Sequence, residues 1–206
     1  NNILHFFLPA ALVAASLLSH RFYTATLTRI KTDVFFLLDL FKFEFTYEPE
    51  IEKGEFIENI IDYFESGKYL ESPVNTEAGY LITPRGERCL HLFAGLIENY
   101  IESYWIVLRV LQTSPDVDDD KILLKKAQRI GQKLYQKGEV KRAESLSAIN
   151  FKNALRLYRE KGWIKRISGE GGDQHAMPKD MAMQQFGHHL QHFLRWYDRR
   201  LNGDHL

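Results

Sequence analysis

NNILHFFLPAALVAASLLSH, Asn1 to His20, is the stretch on which the reading of this fold turns. Between Ile3 and Leu18 the only strongly polar side chains are His5 and Ser16. Sixteen helical residues span about 24 Å, short of the ~30 Å hydrocarbon core of a bilayer. A secretory signal would carry basic residues first and a small-residue cleavage site after the apolar run. Here two asparagines lead and Arg21 is the first cation. The segment therefore reads as a packed helix, ahead of an interfacial membrane helix or a targeting segment. Phe6, Phe7, Leu12, Ala15 and Leu18 are expected among its buried positions in the full protein, and the stretch taken alone is expected to expose apolar surface left by a missing domain. Pro9 removes a backbone donor and crowds the preceding turn, so it is expected to limit a continuous helix.

Working outward, a chain of 206 residues holds one large domain or two small ones. Its 45% hydrophobic and 26% charged residues are those of an ordinary globular protein. Cys89 stands alone, which excludes a disulfide framework and a paired-cysteine metal knuckle and fits a reducing compartment. The formal charges cancel, yet they are segregated. Residues 39–77 hold 11 acids against 3 lysines, a balance of −8, and residues 121–166 hold 14 Lys or Arg against 3 glutamates, a balance of +11.

The periodicities predict a mainly α fold, a multi-helix bundle with one or two short β-hairpins and a winged-helix-like flavour. Ile30, Val34, Leu37, Leu38 and Phe41 are spaced for a helix that Thr26 or Thr28 would cap. Phe56, Ile57, Ile60, Ile61 and Phe64 share a face that stops at Gly67. Residues 68–83 read as a hairpin. Residues 83–112 then read as one long helix with Pro84 in its first turn. Further helices are expected over 122–137, 144–161 and 181–201, with a strand or hairpin near 163–168. We place a first helical region at 1–112 and a second at 120–206.

The opening stretch, with its paired asparagines and a His-Phe before a Pro-Ala-rich apolar helix, resembles the segment that follows the catalytic domain in bacterial glycerol-3-phosphate acyltransferases. GLIENYIESYWIVLRVLQ (Gly95–Gln112) and NFKNALRLYREKGWI (Asn150–Ile164) extend the resemblance. Together the three anchors span about three quarters of the chain. The resemblance implies an enzyme that moves a fatty acyl group from acyl-CoA or acyl carrier protein to glycerol 3-phosphate, opening phospholipid synthesis at the cytoplasmic face of the bacterial inner membrane. It also implies a His-x4-Asp motif with phosphate-holding Phe-Ile-Arg-Arg and Glu-Gly-Thr-Arg motifs. The two arginine motifs are absent from this sequence, and the one literal His-x4-Asp, HAMPKD (His175–Asp180), holds Pro178 and follows a Gly-rich connector. We therefore expect the C-terminal, non-catalytic part of such an enzyme, inactive alone, with no catalytic residue, metal or cofactor. Its expected partners are the catalytic domain of the same chain, an anionic membrane surface and acyl carrier protein, with no nucleic acid.

The basic balance is borne by Lys121, Lys125, Arg129, Lys133 and Lys137, four apart on one helix, and by Lys152, Arg156 and Arg159 on the next. Residues four apart drift slowly along one helical face. The bland reading is a solvated face. The sharper one makes Lys125, Lys126, Arg129, Lys133, Arg156 and Arg159 a surface for anionic headgroups, where each cation contributes about 1 kcal/mol. A free-standing winged-helix module for nucleic acid or protein is the rival. His188 and His192 stand four apart and can in principle share a metal as two of its ligands. A polar helix face is the plainer account of them.

Overall fold

The computed structural model describes residues 2–20, 24–47, 54–73, 75, 78–114, 116–117, 119–164 and 179–201. Among these, the fold is mainly helical, with eight α-helices and a small three-stranded antiparallel sheet. The chain divides into two compact units, Asn1–Glu98 with His192–Leu206, and Asn99–Gln191.

The first unit is built around α1 (Asn2–Ser19), which packs against α2 (Leu27–Leu40), α3 (Phe56–Ser66) and α4 (Pro84–Ala94). Leu8, Ala11, Leu12, Val13, Ala14, Ala15, Leu17 and Leu18 are all buried, so the helix is covered on every side. That is the fate of a helix that is apolar all round. Its alanines let neighbouring backbones come close. One expectation changes here. Pro9 lies inside an unbroken helix, because the burial of the residues around it outweighs one lost backbone bond. Phe6 and Phe7, whose burial is expected in the full protein, are exposed in this chain at 83% and 45%.

Thr26 caps α2, its hydroxyl accepting from Arg29 N at 3.3 Å. Ile30, Val34, Leu37 and Leu38 face inward as their spacing requires. In α3 the buried residues are Ile57, Ile61 and Phe64. The hairpin appears as β2 (Leu70–Glu71) and β3 (Tyr80–Ile82), with Leu70 opposite Ile82. A third strand, β1 (Thr24–Ala25), pairs with the other side of β3. Two residues carry too little pattern to have announced it. Thr83 then caps α4: its hydroxyl donates to Lys68 O at 2.8 Å and accepts from Gly86 N at 2.9 Å. This joins the hairpin to the helix so tightly that a Cβ at Gly86 would overlap the Tyr69 carbonyl.

The predicted single helix over 83–112 is two. The chain turns at Gly95–Ile97, held by Gly95 N to His91 O and Ile97 N to Ala94 O, and α5 (Glu98–Thr113) begins. Within the second unit α5 is the core, with Arg109 its one exposed residue between Ile101 and Leu111. Asp119 caps α6 (Asp120–Gln136), accepting from Lys121 N at 2.7 Å and Ile122 N at 3.2 Å. A 3-10 turn (Ala143–Leu146) follows, and Ser147 caps α7 (Ala148–Glu160), which therefore starts later than expected. Buried Tyr158 donates its hydroxyl to Tyr104 O at 2.8 Å and stacks on Trp163. Trp163 and Ile164 form no strand, and the rest of the hairpin expected near 163–168 lies outside the described residues. The last helix, α8 (Lys179–Leu201), contributes its first residues to the second unit and its last to the first.

Candidate functional site

Of the six cations singled out by charge pattern, Lys125, Arg129 and Lys133 are exposed on α6. They lie on the face opposite its buried residues Leu123, Ala127 and Leu134. Arg156 is exposed on α7. The other two are engaged internally. Lys126 donates its ammonium to Ser114 Oγ at 2.8 Å, and Arg159 Nη2 meets Asp120 Oδ1 at 2.6 Å. The stripe thus separates into a solvent-facing row on α6 and cations that tie helices together.

Apolar exposure gathers at the start of α1. Phe7 meets Phe93 of α4 with ring centroids 6.2 Å apart. Phe6 and Leu92, each one residue from that contact, are exposed at 83% and 76%. Isolated exposed apolar residues are ordinary, but large ones grouped together mark interaction surfaces.

The histidines fall in three places. His175 of HAMPKD lies outside the described residues, as does the side chain of His5. His91 is buried on α4, 3.7 Å from Glu87 Oε1. His188 lines a groove of about 220 Å³ in the second unit with Trp105, Arg109, Gln112 and Gln184. His192 does not join His188. It meets His20, just past α1, with centroids 5.1 Å apart. His20 Nε2 is 2.7 Å from Asp33 Oδ2 on α2, which also accepts from Ser16 Oγ at 3.0 Å. Arg29 Nε stands 3.6 Å from the other oxygen. Asp33 has no exposed surface. One sequence signal marks this cluster: Asp33 sits within the inward face of α2, and a carboxylate on an apolar stripe requires partners.

In the second unit the buried polar centre is Glu102. Its carboxylate accepts from Lys141 N at 2.6 Å, Arg142 N at 3.1 Å and Ser145 Oγ at 2.5 Å. Burial pushes this carboxyl above the ordinary range, and those three donors pull it back only in part. Ser103 adds a bond to Ser145 O, and Asn150 reaches Ser103. The arrangement anchors the loop after α6 on α5, and Glu102, Ser103, Ser145 and Asn150 are all buried.

The glycerol-3-phosphate acyltransferase C-terminal region family matches residues 1–167. The chain belongs to this family. It is also similar to the dihydroxyacetone phosphate acyltransferase of Mus musculus, 28% identical over 174 residues, or 81% of this chain and 24% of that protein. The chain thus spans about a quarter of the length of the curated relative it matches. Both observations support an acyltransferase relationship. No helix among the described residues is long and apolar enough to cross a membrane.

Proposed function

We propose that this chain is the non-catalytic C-terminal portion of a glycerol-3-phosphate acyltransferase, bracing a catalytic domain and presenting the basic row of α6 to anionic lipid headgroups at a cytoplasmic membrane face. The match to the family's C-terminal region over residues 1–167 carries this reading. The exposed Phe6 and Leu92 supply an apolar surface of the kind a neighbouring domain covers. Acyl carrier protein, which is acidic, is a further partner compatible with the same cations. General base catalysis at the acceptor hydroxyl needs a positioned His and Asp beside a phosphate clamp. The His20–Asp33 pair beside Arg29 is closed in, with Asp33 wholly buried, and the sequence lacks both arginine motifs, so the chain alone is expected to show no turnover with glycerol 3-phosphate and acyl-CoA. Turnover that His175→Ala abolishes would reverse that assignment.

The membrane part of the reading has its own test. Each Lys or Arg near an anionic surface contributes about 1 kcal/mol. Reversing Lys125, Arg129 and Lys133 to Glu is therefore expected to weaken co-sedimentation with anionic vesicles by at least about a hundredfold, with the helical circular dichroism unchanged. Binding by the parent chain should fall steeply with salt, because the attraction decays over a Debye length of about 8 Å at physiological ionic strength. Equal sedimentation of the two proteins would leave the row as a solvated face. Salt-sensitive binding to duplex DNA alone would favour a nucleic-acid module.

A further inference from the structure

We propose that His20, Asp33 and His192 bind a late first-row divalent metal ion, Zn²⁺ by preference, which staples the C-terminal helix α8 to α1 and α2 within the first unit. One imidazole nitrogen from each histidine and one carboxylate oxygen lie within 4.8 Å of one another. They come from three separate segments of the chain. Ligands about 2.1 Å from a tetrahedral zinc stand about 3.4 Å apart. The 2.7 Å His20–Asp33 pair must open by roughly 0.7 Å, and the wider separations, none above 4.8 Å, must close by at most about 1.4 Å. A nitrogen-rich donor set with one carboxylate suits zinc and its neighbours and disfavours magnesium and calcium.

The surroundings fit a metal centre as well. Ser16 Oγ, bonded to Asp33 Oδ2, orients the carboxylate as outer-shell donors do. His20 keeps a 13% exposed side chain, leaving a fourth position within reach of water. One carboxylate offsets half of the ion's charge. Arg29, 3.6 Å from Asp33 Oδ1, opposes the ion and sets a ceiling on its affinity. Without metal, His20 Nε2 and Asp33 Oδ2 share a hydrogen bond at 2.7 Å, and the ion would take the place of that bond, with the remaining imidazole N–H on Nδ1.

The test uses the full chain stripped by chelation. Titration calorimetry near neutral pH should show one equivalent of Zn²⁺ bound. His20→Gln and His192→Gln should each weaken binding by at least about tenfold, and the variant His188→Gln/His189→Gln should leave it unchanged. Metal-free melting curves establish that each variant folds. In the parent protein, imidazole ¹⁵N resonances of His20 and His192 should shift with Zn²⁺, a readout that needs no variant. Failure to bind one equivalent, binding that persists in the His20→Gln/His192→Gln double variant, or shifts confined to other histidines would overturn the proposal.

Discussion

Leu12→Ala is expected to lower the unfolding free energy by about 2–5 kcal/mol. Leu12 has no exposed surface and sits midway along α1, which packs against α2, α3 and α4 at once. Truncating it removes apolar area from water and leaves a void that three helices must move together to close. Ala15 and Ser16, three and four residues on along the same face, are small and leave little side chain there to fill the space. The cost should therefore lie in the upper part of that range. Urea denaturation gives the number directly. A loss below about 1 kcal/mol would mean that α1 is not the core of its unit. Leu12→Asp should prevent folding of the first unit altogether, since it would place a carboxylate at a position with no exposed surface.

Glu102→Gln is the second large effect, and two terms oppose each other in it. Burial holds the carboxyl above its ordinary range, so the charge itself is unfavourable at neutral pH, and an amide removes that cost. Yet the carboxylate accepts from three donors, and an amide offers one oxygen and presents N–H groups to the remaining donors. Leaving a buried donor unmatched costs about 1–3 kcal/mol. Desolvation outweighs the three hydrogen bonds, which still offset part of it, so the mismatch should win and the variant should be less stable at pH 7 by about 1–2 kcal/mol. Its pH dependence identifies the cause. A carboxyl with a raised folded-state pKa binds its proton more tightly in the native protein, so its contribution falls as pH rises from the ordinary carboxyl range through the raised value. The parent should lose stability over that window, and Glu102→Gln should lose less. Parallel profiles would show that Glu102 titrates in the fold as it does in the unfolded chain.

The helices that could be read from sequence are those with one wet face. In α2, α3 and α6 the apolar positions recur every three or four residues, and capping residues such as Thr26 and Asp119 fix the ends. The break at Gly95–Ile97 was hidden because Leu90, Ala94, Ile97 and Ile101 keep helical phase straight across it. A turn that preserves the phase of burial leaves no mark in periodicity. The late start of α7 had a visible cap in Ser147, but the charged residues before it read equally well as helix. In the candidate site, the four-residue charge spacing located the row on α6. It could not show that Lys126 and Arg159 are occupied internally, since Ser114 and Asp120 are brought to them only by the fold. The histidine cluster was hidden for the same reason. His192 has His188 as its apparent partner along the helix, whereas its actual neighbours lie at the opposite end of the sequence.

The burial of every residue of α1 from Ala10 to Ser19 also shapes the life of the chain before it folds. From Ile3 to Ser19 no side chain carries a formal charge beyond what His5 can acquire. In the native unit that absence is harmless, because neighbouring helices cover the segment. In a nascent or partly unfolded molecule it is a contiguous sticky tract with no charge to hold two copies apart. Two features of the same stretch moderate the hazard. Its alanines favour helix over the extended conformation that cross-β association needs, and Pro9 interrupts any strand ladder that begins there. The residue that looked like a defect in a helix thus acts as a gatekeeper against aggregation, at the cost of a single backbone hydrogen bond.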